Sequence, residues 1–280
     1  PAPPESRHRL VWSFPRFRLI EYAAAGAVTA GNCTFEYAVT NVPDRGWTGG
    51  ILFDDAVRDA LRGRSFSTRR SVSDISDKFW NVTQYYPVLI DGLLVPLAFD
   101  RLNVDVAWQM TMLNWQAQSL SFLLTRLAHR TVGRQRPEVL ECDKDPAYTG
   151  ACSPDAAGRT ASFFSGHASM SFAGAGLTCA HHRALPLYGG NVADAAICGL
   201  SITSAATVGI MRLVADAHWT TDVLFGAAVG GAVGYGLPTL LHYGSSTEDN
   251  ASLGGVLPRN VALAPLATPT VTGIAVMGLF

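Results

Sequence analysis

Residues 223–241 read VLFGAAVGGAVGYGLPTLL. Nineteen positions pass without Asp, Glu, Lys or Arg, and Gly226, Gly230 and Gly234 recur at every fourth position. A helix of about 20 mostly apolar residues crosses the hydrocarbon core of a bilayer. A ridge of small residues one turn apart lets two such helices approach closely in lipid. A soluble helix of this length would carry a polar face, and this stretch shows almost none. It therefore predicts a helix that spans a membrane and packs through its glycines.

Five other stretches read in a similar way. Residues 22–35 are uncharged and continue past Glu36 to residue 42. Residues 79–99 are broken only by Asp91, and residues 106–125 are uncharged but carry Gln109, Asn114, Gln116 and Gln118. Residues 160–180, which contain His167, and residues 195–211 complete the set. The reading is an all-α fold, a six-transmembrane-helix bundle in which Glu36 and Asp91 face the bundle interior or an interface. The alternative, a soluble bundle with long buried helices, explains the missing polar faces less well.

The remaining sequence reads as connections. Residues 1–18 form a Pro- and Arg-rich N-terminal segment, expected to be poorly ordered and lacking the apolar core of a signal peptide. Residues 43–78 are expected to be a long polar loop after the first helix, with a short amphipathic helix over residues 54–61. Residues 126–159 read as a second polar loop. Residues 244–280 form a C-terminal tail, whose residues 261–267 and 270–280 flank Pro269 as a β-hairpin. Of the 280 residues 48 % are hydrophobic and 15 % charged, with a net charge of -1. That excludes intrinsic disorder and leaves no basic excess for nucleic acid. Five cysteines in a chain this long do not make a disulfide scaffold.

Polar clusters sit at the helix ends. One runs from His129 through Arg134 and Arg136 to Pro137; a second is Phe164-Ser165-Gly166-His167; a third runs from Met211-Arg212 to His218 and Asp222. If every segment spans, all three emerge on the same side. They gather His, Asp and Arg, with no Cys or Glu at metal-ligand spacing. Guanidinium forks bind phosphate oxygens, and a helix opening at Ser165, Gly166 and His167 offers free N–H groups to an anion. His218 and Asp222 lie one turn apart, so the carboxylate would hold one ring nitrogen protonated and free the other to attack. A second histidine could protonate the leaving oxygen. His181, His182 and Arg183 read as interface anchors outside the site.

At these residues the chain resembles the type 2 phosphatidic acid phosphatase superfamily, which also includes bacterial acid phosphatases and vanadate-dependent haloperoxidases. The family signature, K-x6-R-P, P-S-G-H and S-R-x5-H-x3-D, is matched here by His129-x6-Arg136-Pro137, Phe164-Ser165-Gly166-His167 and Met211-Arg212-x5-His218-x3-Asp222. The resemblance covers roughly residues 80–243; with the earlier apolar stretch, a membrane-embedded phosphatase domain is expected over residues 19–243. The resemblance implies that His218 is a nucleophile forming a phosphohistidine, Asp222 its orienting acid and His167 the acid for the leaving group. Arg136, Arg212, Ser165, Gly166 and His129 would bind the substrate phosphate, and no metal or other cofactor is needed. Phe164, Met211 and His129 depart from the signature. An imidazole where the family has Lys predicts an acidic optimum.

The function so implied is hydrolysis of a lipid phosphomonoester or pyrophosphate. The alternatives are a lipid phosphotransferase with an acceptor other than water and a vanadate-dependent haloperoxidase. The expected partners are a lipid phosphate and the membrane, and the expected place is a bacterial inner membrane with the site on the periplasmic side. Cys142 and Cys152 lie in one loop and are candidates for a disulfide. Cys33, Cys179 and Cys198 sit in apolar stretches and are expected to be buried thiols.

Overall fold

The helices follow the apolar runs but extend well beyond several of them. The computed structural model describes residues 9–37, 46–142, 144, 152, 158–190, 192–244, 261–267 and 272–278. Helix α1 is Leu19–Tyr37, α2 Asp54–Leu61, α3 Phe66–Phe99, α4 Val104–Val132, α5 Gly166–Ala184, α6 Val192–Val214 and α7 Thr220–Tyr243. Side-chain caps set several starts. Ser65 accepts the Thr68 N–H at 3.1 Å, Asn103 that of Val106 at 3.3 Å and Ser165 that of Ala168 at 3.4 Å. Helix α4 stops at Gly133, whose φ of 60° is the left-handed turn that glycine adopts without strain. Helix α3 widens into π turns over Pro87–Phe99, where Pro87 and Pro96 lack the N–H that an α ladder requires.

The expected loop over residues 43–78 is mostly helical where it is described. Helix α2 occupies the predicted residues 54–61, and α3 begins at Phe66, thirteen residues before the uncharged run. The charge count hid a second pattern: Arg69, Ser76 and Thr83, seven residues apart, are the buried positions of the α-helical part of α3. The second expected loop is shortened in the same way, because α4 continues to Val132. Residues 9–18 are also packed rather than loose. Leu10, Trp12 and Phe17 are buried, and the Phe17 N–H donates to Gln109 at 2.8 Å. Residues 1–8 lie outside the described residues.

Helix α5 is the axis of the bundle, and between Ala168 and His182 it is buried at every position except Phe172. The glycine ridge of α7 lies against it. A Cβ on Gly226, Gly230 or Gly234 would fall 2.6, 2.1 or 2.0 Å from the carbonyl oxygens of Ser165, Ser169 and Ala173. Gly174 meets the Thr83 carbonyl of α3 in the same way, at 2.1 Å. Small hydroxyls join the helices inside: Ser121 with Ser169 at 2.8 Å and Thr83 with Ser171 at 3.0 Å.

Large apolar side chains point outward, among them Leu89, Leu94, Leu200, Ile210, Leu224 and Leu240. A polar seam inside and an apolar coat outside is the distribution lipid favours. Among the described residues three helices, Phe66–Phe99, Val192–Val214 and Thr220–Tyr243, are long and apolar enough to cross a membrane. Of the two acids in apolar stretches, Asp91 is fully buried, while Glu36 pairs with Arg126 at 2.6 Å on the α1–α4 seam. The body is all-helical. Beyond it, Val261–Ala267 and Thr272–Gly278 pair antiparallel with Ala264 opposite Ala275.

Candidate active site

The three clusters meet at the N-terminal end of α5. After Gly133 the chain runs extended, and its backbone is bonded on both sides. The Arg136 N–H donates to the Arg159 carbonyl and the Ser162 N–H to the Arg134 carbonyl, each at 3.0 Å. The Glu138 N–H donates to the Asp216 carbonyl at 3.0 Å, and the Ser165 N–H donates to the Asp222 carbonyl at 3.1 Å. The first cluster is thus tied to the third, and the third to the second, by main-chain bonds.

His218 is buried, and its Nδ1 lies 2.8 Å from the Ser162 carbonyl. A carbonyl only accepts, so Nδ1 carries the hydrogen and Nε2 keeps its lone pair. Burial, then the nearby guanidiniums of Arg136 and Arg212 and the rings of His167 and His129, hold this imidazole well below the usual histidine pKa. A neutral ring with one free nitrogen is what nucleophilic attack requires.

Asp222 does not touch that ring, contrary to the sequence expectation. It accepts from Ser162 Oγ at 2.6 Å, from Arg134 at 2.5 Å and from the Trp219 N–H at 3.0 Å. Its influence on His218 runs through Ser162, which takes the carboxylate with its hydroxyl and the imidazole with its carbonyl. Helical spacing puts positions 218 and 222 one turn apart only inside a helix, and α7 begins at Thr220, after His218.

His129 Nε2 lies 2.9 Å from the Phe164 carbonyl, so its N–H is engaged by the backbone just ahead of Ser165. Ser165 caps α5 and is fully buried. Close approach is required at the next position, where a Cβ on Gly166 would lie 3.0 Å from Thr125. The N–H groups of Gly166 and His167 belong to the first turn of α5, where intrahelical acceptors are lacking.

Arg212, in the last turn of α6, is nearly buried and donates to Ser73 at 3.0 Å and to Asp77 at 3.4 Å. Its Nε is buried with no hydrogen-bond partner. His167 Nε2 lies 2.9 Å from Asp77, and the Trp80 ring packs on the same imidazole. A cavity of about 180 Å³ opens beside these groups, lined by Arg69, Arg70, Ser73, Arg136, Glu138 and Arg212 among others. Its guanidiniums outnumber its carboxylates, which suits an anion.

Several residues that the sequence left unassigned hold this arrangement. Arg134 is fully buried, bonded to Asp54 at 2.7 Å, Asp222 at 2.5 Å and Thr221 at 2.8 Å, and lies 3.8 Å over the Trp47 ring. Burial alone would raise the Asp54 carboxyl, but the Ile51 N–H, the Arg134 guanidinium and Thr221 hold it below the usual range. Arg58 of α2 grips Asp216 at 2.6 and 2.7 Å and so fixes the turn that carries His218. Asp216 takes a φ of 60°, a left-handed conformation Asp tolerates better than most residues. The one available signal was the cluster of acids and arginines in residues 54–62.

The cysteines split. Cys142 and Cys152 are bridged, as considered from sequence, but Cys179 and Cys198 are also bridged, joining α5 to α6, and Cys33 is exposed. Nor are His181 and His182 interface anchors. Both are buried in a polar network at the far end of α5, and only Arg183 remains exposed. Among the described residues no cluster of three or more His, Cys, Asp or Glu is placed to hold a metal ion.

A family model described as the PAP2 superfamily matches residues 117–245, which include all three clusters. No curated protein and no solved structure matches the chain.

Proposed function

We propose, from the premise that residues 117–245 belong to the PAP2 superfamily, that this protein is an integral membrane phosphatase acting on a lipid phosphomonoester or pyrophosphate. The observation that carries the reading is the placement of His218, with Nδ1 held by Ser162, beside the guanidiniums of Arg136 and Arg212. Nε2 of His218 attacks phosphorus, the bond from phosphorus to the leaving oxygen breaks, and His167 gives that oxygen a proton. Water then attacks the phosphohistidine, His167 takes the water's proton, and the P–N bond breaks. Arg136, Arg212 and the first N–H groups of α5 balance the charge on the phosphoryl oxygens.

We read all six long helices as membrane-spanning, with α1, α4 and α5 crossing as well as the three most apolar. The site then opens at one membrane face, outside the cytoplasm. The Cys142–Cys152 bridge next to the site supports an oxidising compartment on that side. Phosphate release from a panel of lipid phosphates and diphosphates, in proteoliposomes, tests the reading, with vanadate as inhibitor. Turnover that vanadate blocks supports it. No release from any lipid, or halide oxidation in the presence of vanadate, overturns it.

A further inference from the structure

The motif residues explain how a phosphate is bound and attacked, but they leave His167 in an unfavourable setting. A general acid must carry a proton to the leaving oxygen. Partial burial, and then two permanent cations, Arg212 at the end of α6 and Arg136 after α4, oppose a charge on the His167 ring. The other groups around it are the ring of His218 after α6 and the Trp80 face on α3. Against these stands Asp77 of α3, whose Oδ1 lies 2.9 Å from His167 Nε2 and 3.4 Å from Arg212 NH1.

We infer that Asp77 is a positioning residue that holds His167 as the imidazolium, with one N–H on the carboxylate and the other available for the leaving oxygen. The placement has a structural basis. Residues 66–78 are helical, and this early start of α3 brings Ser73 and Asp77 against Arg212 one turn apart. Asp77 itself is half-exposed at the site, so it is not a buried structural ion. An exposed ion pair adds little to stability. This carboxylate balances the charge of His167, while Arg212 keeps its shorter bond to Ser73 whether or not position 77 is charged.

The inference rests on the phosphatase reading, and the test separates the two. Wild-type, Asp77→Asn, Asp77→Glu and His218→Ala proteins are assayed on an alkyl phosphate and on 4-nitrophenyl phosphate. The first has a poor leaving group that needs a proton, and the second has a good one that does not. Asp77→Asn should lower kcat on the alkyl ester at least about tenfold and leave the aryl ester within about threefold. The alkaline limb of its alkyl-ester profile should move down by about one pH unit, because the imidazolium gives up its proton earlier without the carboxylate. Asp77→Glu should restore most of the rate. Equal losses on both esters, a change in KM alone, or an unmoved alkaline limb overturns the inference while leaving the phosphatase standing. If the wild type hydrolyses neither ester nor any lipid phosphate, the phosphatase reading itself fails.

Discussion

The two ends of α5 each carry buried histidines and carboxylates, yet they are built for different ends. At the N-terminal end His167 and His218 both lie in the field of Arg136 and Arg212, which line a cavity with an excess of guanidiniums, and Arg212 keeps a buried Nε with no acceptor. At the far end His182 sits between Asp194 at 2.5 Å and Asp91 at 3.1 Å, and His181 between Tyr243 at 2.7 Å and Asn114 at 2.9 Å. His242 joins that region through Glu21 at 3.0 Å. There both nitrogens of each imidazole already have a partner within the protein. Histidine and aspartate together do not mark chemistry. A surplus of positive charge and an opening to the outside do.

Four measurements would break or sharpen this contrast. The largest effect is expected from His218→Ala, which should cut phosphate release by at least about 10³-fold and abolish covalent labelling by a phosphorylated substrate. Next comes Arg212→Ala, which should lower kcat/KM by roughly 10²-fold, since its guanidinium meets charge that grows in the transition state. His182→Ala should do the opposite of both. Thermal melting in detergent should show a loss of about 3 kcal/mol, from leaving Asp91 and Asp194 facing each other, while kcat stays within about twofold. A large fall in kcat without a fall in stability would erase the distinction between the two ends.

The smallest effect concerns pH. Because the His218 ring is held well below the ordinary histidine pKa, it stays neutral as pH falls through about 6.5, where an exposed imidazole would become charged. A kcat/KM that holds on the acid side of that value is expected from a pH–rate profile. Such acid-side activity would trace to His218 rather than His129, whose N–H already serves Phe164. A decline centred near 6.5 would mean that the nucleophile is solvated.

Much of this architecture was legible one residue at a time. A run without charges specifies a helix in lipid, because each uncompensated charge there is costly. Glycines four apart specify a ridge, because the helix repeat puts them on one face. The three-part spacing located Arg136 and Arg212 at the cavity but none of its α3 residues, among them Arg69, Arg70 and Ser73. What stayed hidden involved partners far apart in the chain: Arg134 with Asp54 across 80 positions, His167 with Asp77 across 90, and His218 with the Ser162 carbonyl across 56. Local periodicity encodes which way a side chain faces on its own helix. Which atom it finds there depends on where the rest of the chain returns, and a main-chain acceptor such as Ser162 leaves no side-chain signature at all.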